Sequence, residues 1–254
     1  MLNFTAKEKA YPDISTLPVS YLLKTVALKV RRRLFSIDPY GKASGRLVWS
    51  VSAVSDAEGP TANVRNYLEH NTLRAILSGI GGAKSGRRMC DVGCGYGRMT
   101  IVLQEFADTV VGYEREGSLL DLARPLAPAI DYRQVDDLAT ITDDTPFDFA
   151  MISTVLQHLT DDHARAVCAA MRALAPNGHV LLIEKTDDIA TTDNTDDGST
   201  FISKARTVET YAEFMAPYEL VDVRERILEP TYFNPSPGQC MLFKAPASGA
   251  PQVP

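Results

Sequence analysis

An acidic residue and an arginine flank a run of alternating glycines, and together they could hold a charged cofactor. The run is CDVGCGYGRMT, residues 90–100, in which Asp91 precedes the glycines and Arg98 follows them. The glycines are Gly93, Gly95 and Gly97. Because glycine lacks a Cβ atom, such a turn lets the backbone approach a ligand closely at the end of a strand. The run therefore predicts a cofactor-binding turn between a strand and a helix.

The charges around this turn indicate which kind of cofactor it holds. A dinucleotide turn follows the pattern GxGxxG, which would place glycine at the position of Arg98. Asp91 would repel a pyrophosphate but could receive an ammonium group, and Arg98 could pair with a carboxylate. A cofactor with both an amine and a carboxylate fits, so we predict S-adenosylmethionine. The alternatives are a nicotinamide-dependent oxidoreductase, which both residues disfavour, and a cofactor-binding partner subunit without catalysis.

Further acidic residues follow the next two predicted strands. Glu114 ends the segment DTVVGYE, where a carboxylate can accept hydrogen bonds from both ribose hydroxyls. Asp136 and Asp137 follow the third predicted strand, and one of them could accept the adenine amino group. The alternative for this pair is a turn or capping role.

His158 is the candidate for proton chemistry at the methyl acceptor. It follows the fourth predicted strand, FDFAMISTVL, at the edge of the sheet where the cofactor is expected. A near-neutral imidazole suits the removal of a proton from a hydroxyl or ammonium group. The alternative is a packing role at a helix start. The other histidines, His70, His163 and His179, are expected to be structural.

The elements that must position these residues alternate between strand and helix. The predicted strands are residues 87–93, 108–114, 130–135, 147–156, 179–186, 218–228 and 239–245. The predicted helices are residues 61–80, 97–107, 117–127, 161–176 and 205–217. This alternation predicts an α/β fold with a doubly wound, mostly parallel sheet. The last two strands are joined by the short segment EPTYFNPSPG, so we expect them to be antiparallel.

Three regions follow from this pattern. Residues 1–60 form a basic N-terminal helical extension, residues 61–246 the cofactor-binding domain, and residues 247–254 a tail expected to be disordered. Within the extension, residues 19–35 predict an amphipathic helix whose basic residues cluster toward its end. This helix could pack on the domain, form part of a lid over the acceptor site, or contact an anionic membrane surface.

Charge is distributed unevenly along the chain. Residues 1–50 contain nine basic and three acidic residues, which gives this segment a net charge of +6. Because the whole chain has a net charge of −6, residues 51–254 have a net charge of −12. The basic extension favours a phosphorylated, lipid-linked or acidic partner. By contrast, the predicted loop at residues 187–200 contains five aspartates and could form an anionic rim that attracts an amine. The sequence leaves both possibilities open.

The ordered motifs resemble those of the class I S-adenosylmethionine-dependent methyltransferases. The segments that carry the resemblance are DVGCGYG, VVGYE, VDD, FDFAMISTVLQHL and LAPNGHVLLIE. They occur in the family's order and cover about residues 61–246. The resemblance implies a seven-stranded, Rossmann-like sheet whose last strand is antiparallel.

A narrower resemblance links GYGRMT and HLTDDHARAVCAAMRALAPNG to the protein N-terminal α-amine methyltransferases. It implies that Arg98 holds the cofactor carboxylate, that His158 positions or deprotonates the acceptor amine, and that Ser153 contacts the cofactor. The long N-terminal segment is foreign to that family. A protein or peptide α-amine is therefore one acceptor among several.

Composition narrows the remaining choices. The four cysteines contain no CxxC pair, and we expect them to be buried thiols in a reducing, cytoplasmic setting without a metal site. We do not expect a nucleic-acid acceptor, because the part of the chain after residue 50 is acidic and lacks an NPPY-like motif. The sequence thus predicts a methyltransferase that acts on an oxygen or nitrogen of a polar small molecule, glycan or peptide, with carbon methylation also open.

Overall fold

The computed structural model describes residues 60–187, 191–194, 202–226 and 238–247, and its centre is a seven-stranded sheet. The strands are β1 (Arg88–Val92), β2 (Thr109–Glu114), β3 (Asp131–Gln134), β4 (Phe149–Ser153), β5 (His179–Lys185), β8 (Glu219–Glu225) and β9 (Gly238–Lys244). Their order across the sheet is β3-β2-β1-β4-β5-β9-β8. Strands β1 to β5 pair in parallel, whereas β9 is antiparallel to both β5 and β8. The predicted doubly wound sheet with an antiparallel last strand is therefore confirmed.

Helices cover both faces of this sheet. They are α1 (Pro60–Ile80), α2 (Thr100–Leu103), α3 (Gly117–Leu126), α4 (Asp161–Leu174) and α5 (Val208–Met215). Along β4, Ala150 and Ile152 join the core under α4 and α5, while Phe149 and Met151 join the core under α1, α2 and α3. This alternation follows from the two-residue period of a strand. Each fully buried large apolar side chain contributes about 1.5–3 kcal/mol to stability.

The helices on the α4 face begin at threonines. The hydroxyl of Thr160 accepts a hydrogen bond from the backbone N–H of His163, and that of Thr207 accepts one from Thr210. Such caps satisfy backbone donors that have no partner within the first turn. The Thr160 cap fixes the start of α4 at Asp161, three residues after His158.

The helix predicted over residues 97–107 is much shorter in the structure, because α2 spans only Thr100–Leu103. Gly97 has a φ of 84°, outside the right-handed helical region, so the helix cannot begin there. After Leu103, the N–H groups of Glu105 and Phe106 bond to carbonyls three residues back, and the chain tightens into a turn.

A two-stranded antiparallel sheet occupies part of the segment predicted to be an acidic loop. It consists of β6 (Thr191–Asn194) and β7 (Ile202–Ala205), so the loop prediction was wrong for residues 191–194. The β-branched pair at residues 191–192 was the available signal for a strand. After β7, an isolated bridge between Thr186 and Arg206 places Arg206 beside the end of β5.

Several predictions concern residues outside the described ranges. They are the extension at residues 1–59 with its amphipathic helix at 19–35, residues 188–190 and 195–200 of the acidic segment, and residues 248–254 of the tail. Within the described ranges, no helix has both the length and the apolar character needed to cross a membrane.

Candidate cofactor and acceptor site

The glycine turn lies between β1 and α2 with each of its glycines in the left-handed region. The φ values are 72° at Gly93, 57° at Gly95 and 84° at Gly97. A Cβ atom at Gly93 would lie 2.6 Å from Cγ2 of Val155, whereas one at Gly95 would meet no described atom within 4 Å. The turn therefore packs against the segment after β4 on one side and leaves room beside Gly95 on the other.

Glu114 ties this turn to the end of β2. Its carboxylate accepts hydrogen bonds from the backbone N–H groups of Gly95 at 2.8 Å, Arg115 at 2.8 Å and Glu116 at 3.0 Å. Parallel strands β1 and β2 end side by side, with Val92 opposite Tyr113, and this pairing brings Glu114 next to the glycine turn. A carboxylate in this place can accept further hydrogen bonds from a ligand's hydroxyl groups.

Asp91 lies beneath the turn and is almost fully buried. Its carboxylate accepts a 2.6 Å hydrogen bond from Oγ1 of Thr100. Burial raises the pKa of Asp91 to about 7, against the effects of the Thr100 hydrogen bond and the nearby Arg98. This carboxyl group can therefore change its charge near neutral pH.

Arg98 is held by helix α1. One nitrogen of its guanidinium group donates to the carboxylate of Glu69 and to Oδ1 of Asn66, the latter at 3.2 Å. Glu69 is buried and also accepts two hydrogen bonds from Arg226, at 2.9 Å and 2.7 Å. The sequence analysis missed Glu69 and Arg226, and no local signal could have found them because they are 157 residues apart.

Five charged residues alternate in sign along this edge of the sheet. Arg98 lies between Asp91 and Glu69, and Arg226 acts on both Glu69 and Glu184, the latter in β5. Each carboxylate of this series therefore lies within electrostatic reach of an arginine.

The segment after β4 is fixed from two sides. Glu184 is fully buried, and its carboxylate accepts hydrogen bonds from the backbone N–H groups of Val155, Leu156 and Gln157 at 2.9–3.1 Å. Burial raises the pKa of Glu184 to about 7, while the three N–H donors act in the opposite direction. This carboxylate orders the chain that leads to His158.

Arg206 supports the same segment from its carbonyl side. Its buried guanidinium group donates to the carbonyl oxygens of Leu156 at 2.7 Å and Leu159 at 2.6 Å, and to Asp161 at 2.8 Å. One buried anion and one buried cation thus define the path of residues 155–161.

Ser153 and His158 lie at the two ends of this region. Ser153 ends β4, and its buried hydroxyl has no hydrogen-bond partner within the described part of the chain. His158 is half-buried, and its Nε2 atom lies 2.8 Å from the amide nitrogen of Gln157. The two predicted residues therefore lie at the carboxyl end of β4 and just after it, and Val155 between them packs against the glycine turn.

The two aspartates after β3 differ in their surroundings. Oδ1 of Asp137 accepts a hydrogen bond from the backbone N–H of Ala139 at 2.9 Å and lies 3.0 Å from Nε2 of His163. It is thus a capping residue, the alternative considered for it. The side chain of Asp136 is exposed and stays the better candidate for contact with an adenine amino group.

These residues fit S-adenosylmethionine on two observations. The backbone of the glycine turn leaves space beside Gly95, next to the Glu114 carboxylate. At the end of β4, the unpartnered hydroxyl of Ser153 offers a polar contact that the described protein does not use. The carboxyl ends of β1, β2 and β4 thus have near them the Glu114 carboxylate, the Arg98 guanidinium group and the Ser153 hydroxyl.

Comparisons with known proteins agree with this assignment. Residues 90–182 match the family model described as a methyltransferase domain. The ubiquinone biosynthesis O-methyltransferase of Alkalilimnicola ehrlichii is 34% identical over 130 residues. That match covers 48% of this chain and 51% of the relative, so the chain spans about half of the relative's length.

Two solved structures are similar in fold. A Burkholderia thailandensis 1,6-didemethyltoxoflavin-N1-methyltransferase, solved with S-adenosylhomocysteine bound, has a TM-score of 0.57, 16% identity and coverage of 91% of each chain. A Leishmania major S-adenosylmethionine-dependent methyltransferase has a TM-score of 0.59, 21% identity and coverage of 85% of this chain and 89% of that one. At these identities, the likeness supports the fold alone.

Proposed function

We propose that this chain, which belongs to the class I family of S-adenosylmethionine-dependent methyltransferases, transfers a methyl group to an oxygen or nitrogen of a polar acceptor. The observation that carries the proposal is the meeting of three features at one edge of the sheet. They are the glycine turn after β1, the acid that ends β2 and the histidine after β4. The acceptor belongs to the metabolites, sugars or peptides.

The cofactor-binding part of the proposal assigns each end of S-adenosylmethionine to a charged group. Glu114 accepts the ribose hydroxyls, and Asp136 is the candidate for the adenine amino group. Asp91 receives the ammonium group, and Arg98, oriented by Glu69, pairs with the carboxylate. When bound, the cofactor supplies an electrophilic methyl group on a sulfonium centre.

The remaining task of the chain is to align the acceptor and accept its proton. Alignment alone can be worth about 7–11 kcal/mol of the barrier. His158 is held beyond the end of β4 by a segment that Glu184 and Arg206 fix on both sides. An imidazole held in this way can remove a proton from a hydroxyl or ammonium group.

A peptide or protein α-amine is the second candidate acceptor. Its support is the resemblance of GYGRMT and the segment around His158 to the N-terminal α-amine methyltransferases. A non-catalytic partner subunit is the remaining alternative, and the intact set of Asp91, Arg98 and Glu114 disfavours it because a decayed pocket would not need these charges.

A methyl-transfer screen tests the proposal. The full chain is incubated with methyl-labelled S-adenosylmethionine and pools of amines, sugars and peptides, and labelled products are identified by mass. We expect a labelled product that depends on the enzyme and is lost or greatly reduced in His158→Ala, with cofactor affinity unchanged. Full turnover in His158→Ala would refute its role as a base. Cofactor binding without transfer to any pool would favour the partner-subunit alternative.

A further inference from the structure

Gln157 precedes His158, and strand β5 holds it at two points. Its backbone N–H donates to the carboxylate of Glu184 at 3.1 Å. Its side-chain oxygen accepts a hydrogen bond from the backbone N–H of Lys185 at 3.2 Å. Since Glu184 and Lys185 are neighbours in a central strand, both anchor points belong to the rigid part of the sheet.

The second anchor decides which way the Gln157 amide faces. A backbone N–H can only donate, so the side-chain atom facing Lys185 must be the oxygen. The amide nitrogen then faces Nε2 of His158 at 2.8 Å. Because an amide nitrogen can only donate as well, Nε2 must accept with its lone pair.

We propose that Gln157 is a positioning residue that holds His158 as the neutral tautomer, with the proton on Nδ1 and the lone pair on Nε2. The hydrogen bond at one ring nitrogen sets the protonation of the other. A ring protonated at Nε2 would place two donors face to face across 2.8 Å. The inference depends on the proposed function only for the role of His158 as the base that accepts the proton of the methyl acceptor.

This tautomer prepares the ring for the acceptor. When the acceptor reacts, its O–H or N–H bond breaks, the bonding electrons stay on the oxygen or nitrogen, and the proton moves to Nε2. The ring becomes an imidazolium. Because the Gln157 amide is fixed, it is the His158 ring that turns from Gln157 to the acceptor for this step. Gln157 thus keeps the base neutral until an acceptor arrives.

The surrounding bonds explain why Gln157 cannot easily adopt another arrangement. Glu184 accepts three backbone N–H groups of the segment, and Arg206 donates to two of its carbonyls. Rotation of the Gln157 amide would leave the N–H of Lys185 facing another donor. The orientation is therefore set by the fold and does not require a bound ligand.

The test reads the tautomer directly by two-bond proton–nitrogen correlation spectra of the histidine rings. The chain has four histidines, and the His158 signals are assigned by their loss in His158→Asn. Spectra are recorded at about pH 8, above the usual imidazole pKa of about 6.5. We expect Nε2 of His158 to be unprotonated in the unaltered chain.

Two variants then shift the tautomer in a defined direction. Gln157→Glu keeps the shape but offers an acceptor to Nε2, so the proton should move from Nδ1 to Nε2. Gln157→Met removes the donor, so the fraction protonated at Nε2 should rise. The matched control is Gln134→Glu on β3, and the His163 signals serve as an internal control in each spectrum.

The outcomes separate this inference from the proposed function. A proton on Nε2 in the unaltered chain, or an unprotonated Nε2 in Gln157→Glu, would overturn the inference. We also expect Gln157→Glu to lower kcat by about 10²–10⁴, the range for a lost general base, with cofactor affinity unchanged. The expected spectra combined with normal turnover of His158→Ala would refute His158 as the base and leave the tautomer assignment supported.

Discussion

Replacing Glu114 with glutamine should weaken cofactor binding more than any other single isosteric change at the site. The carboxylate already accepts three backbone N–H groups at 2.8–3.0 Å, and in the proposed function it also accepts two ribose hydroxyls. In Glu114→Gln, one oxygen becomes an NH₂ group, which would face the N–H of Gly95 or that of Arg115 and Glu116, and no charge remains to strengthen the hydroxyl contacts.

The magnitude follows from the two lost contacts. A hydrogen bond to a charged group contributes about 1.5–3 kcal/mol, so two of them correspond to about 3–6 kcal/mol. This is a loss of affinity of about 10²–10⁴-fold. The loss should be the same for S-adenosylhomocysteine and for 5′-methylthioadenosine, because both contain the ribose.

Isothermal titration calorimetry with both ligands measures this effect. The matched control is Glu105→Gln, at an exposed residue that pairs with Arg74 away from the glycine turn. Thermal melting in parallel shows whether the Glu114 variant folds. An affinity for both ligands within about threefold of the unaltered chain, in a folded variant, would refute the assignment of Glu114 to the ribose.

Three further changes test other parts of the site. Arg98→Gln should weaken the binding of S-adenosylhomocysteine about tenfold or more but leave the binding of 5′-methylthioadenosine unchanged, because only the former has a carboxylate. Equal losses of affinity for the two ligands in calorimetry would contradict the pairing of Arg98 with the carboxylate. Binding of an ammonium group requires the ionised form of Asp91, whose pKa is about 7. Cofactor affinity should therefore fall up to tenfold per pH unit as the pH drops below about 7, and Asp91→Asn should remove this dependence. An unchanged pH profile in the variant would refute the contact. Arg206→Met removes the donor to the carbonyl oxygens of Leu156 and Leu159 and leaves Asp161 with Lys204 alone. It should therefore cost about 2–6 kcal/mol and lower the melting temperature by roughly 4–24 °C, whereas Arg224→Met, at a partly exposed residue, should change it little. Equal shifts in the two melting curves would contradict the structural role of Arg206.

Local sequence patterns were sufficient to predict the sheet and the cofactor turn. The strand that ends at Glu114 can be predicted from a short apolar run, and the turn at Gly93 from the spacing of the glycines. Both predictions depend only on residues that are close in the sequence. Parallel pairing then brings their ends together without further information. This is why most of the predicted cofactor residues lie at one edge of the sheet.

The residues that orient the predicted ones could not be found in the same way. Glu69 and Arg226 meet only because α1 packs over β5 and β9, and the chain that leaves β8 passes beside them. The contact between Gln157 and Lys185 depends on the register of β5 against β4. The spacing of residues along the chain does not predict such long-range contacts.

The central claim is that the glycine turn binds S-adenosylmethionine and not a dinucleotide. Calorimetric titration of the full chain with S-adenosylhomocysteine and, separately, with NAD tests it most directly. We predict saturable binding of S-adenosylhomocysteine with one site per chain and no measurable heat with NAD. Binding of NAD without binding of S-adenosylhomocysteine would contradict the account.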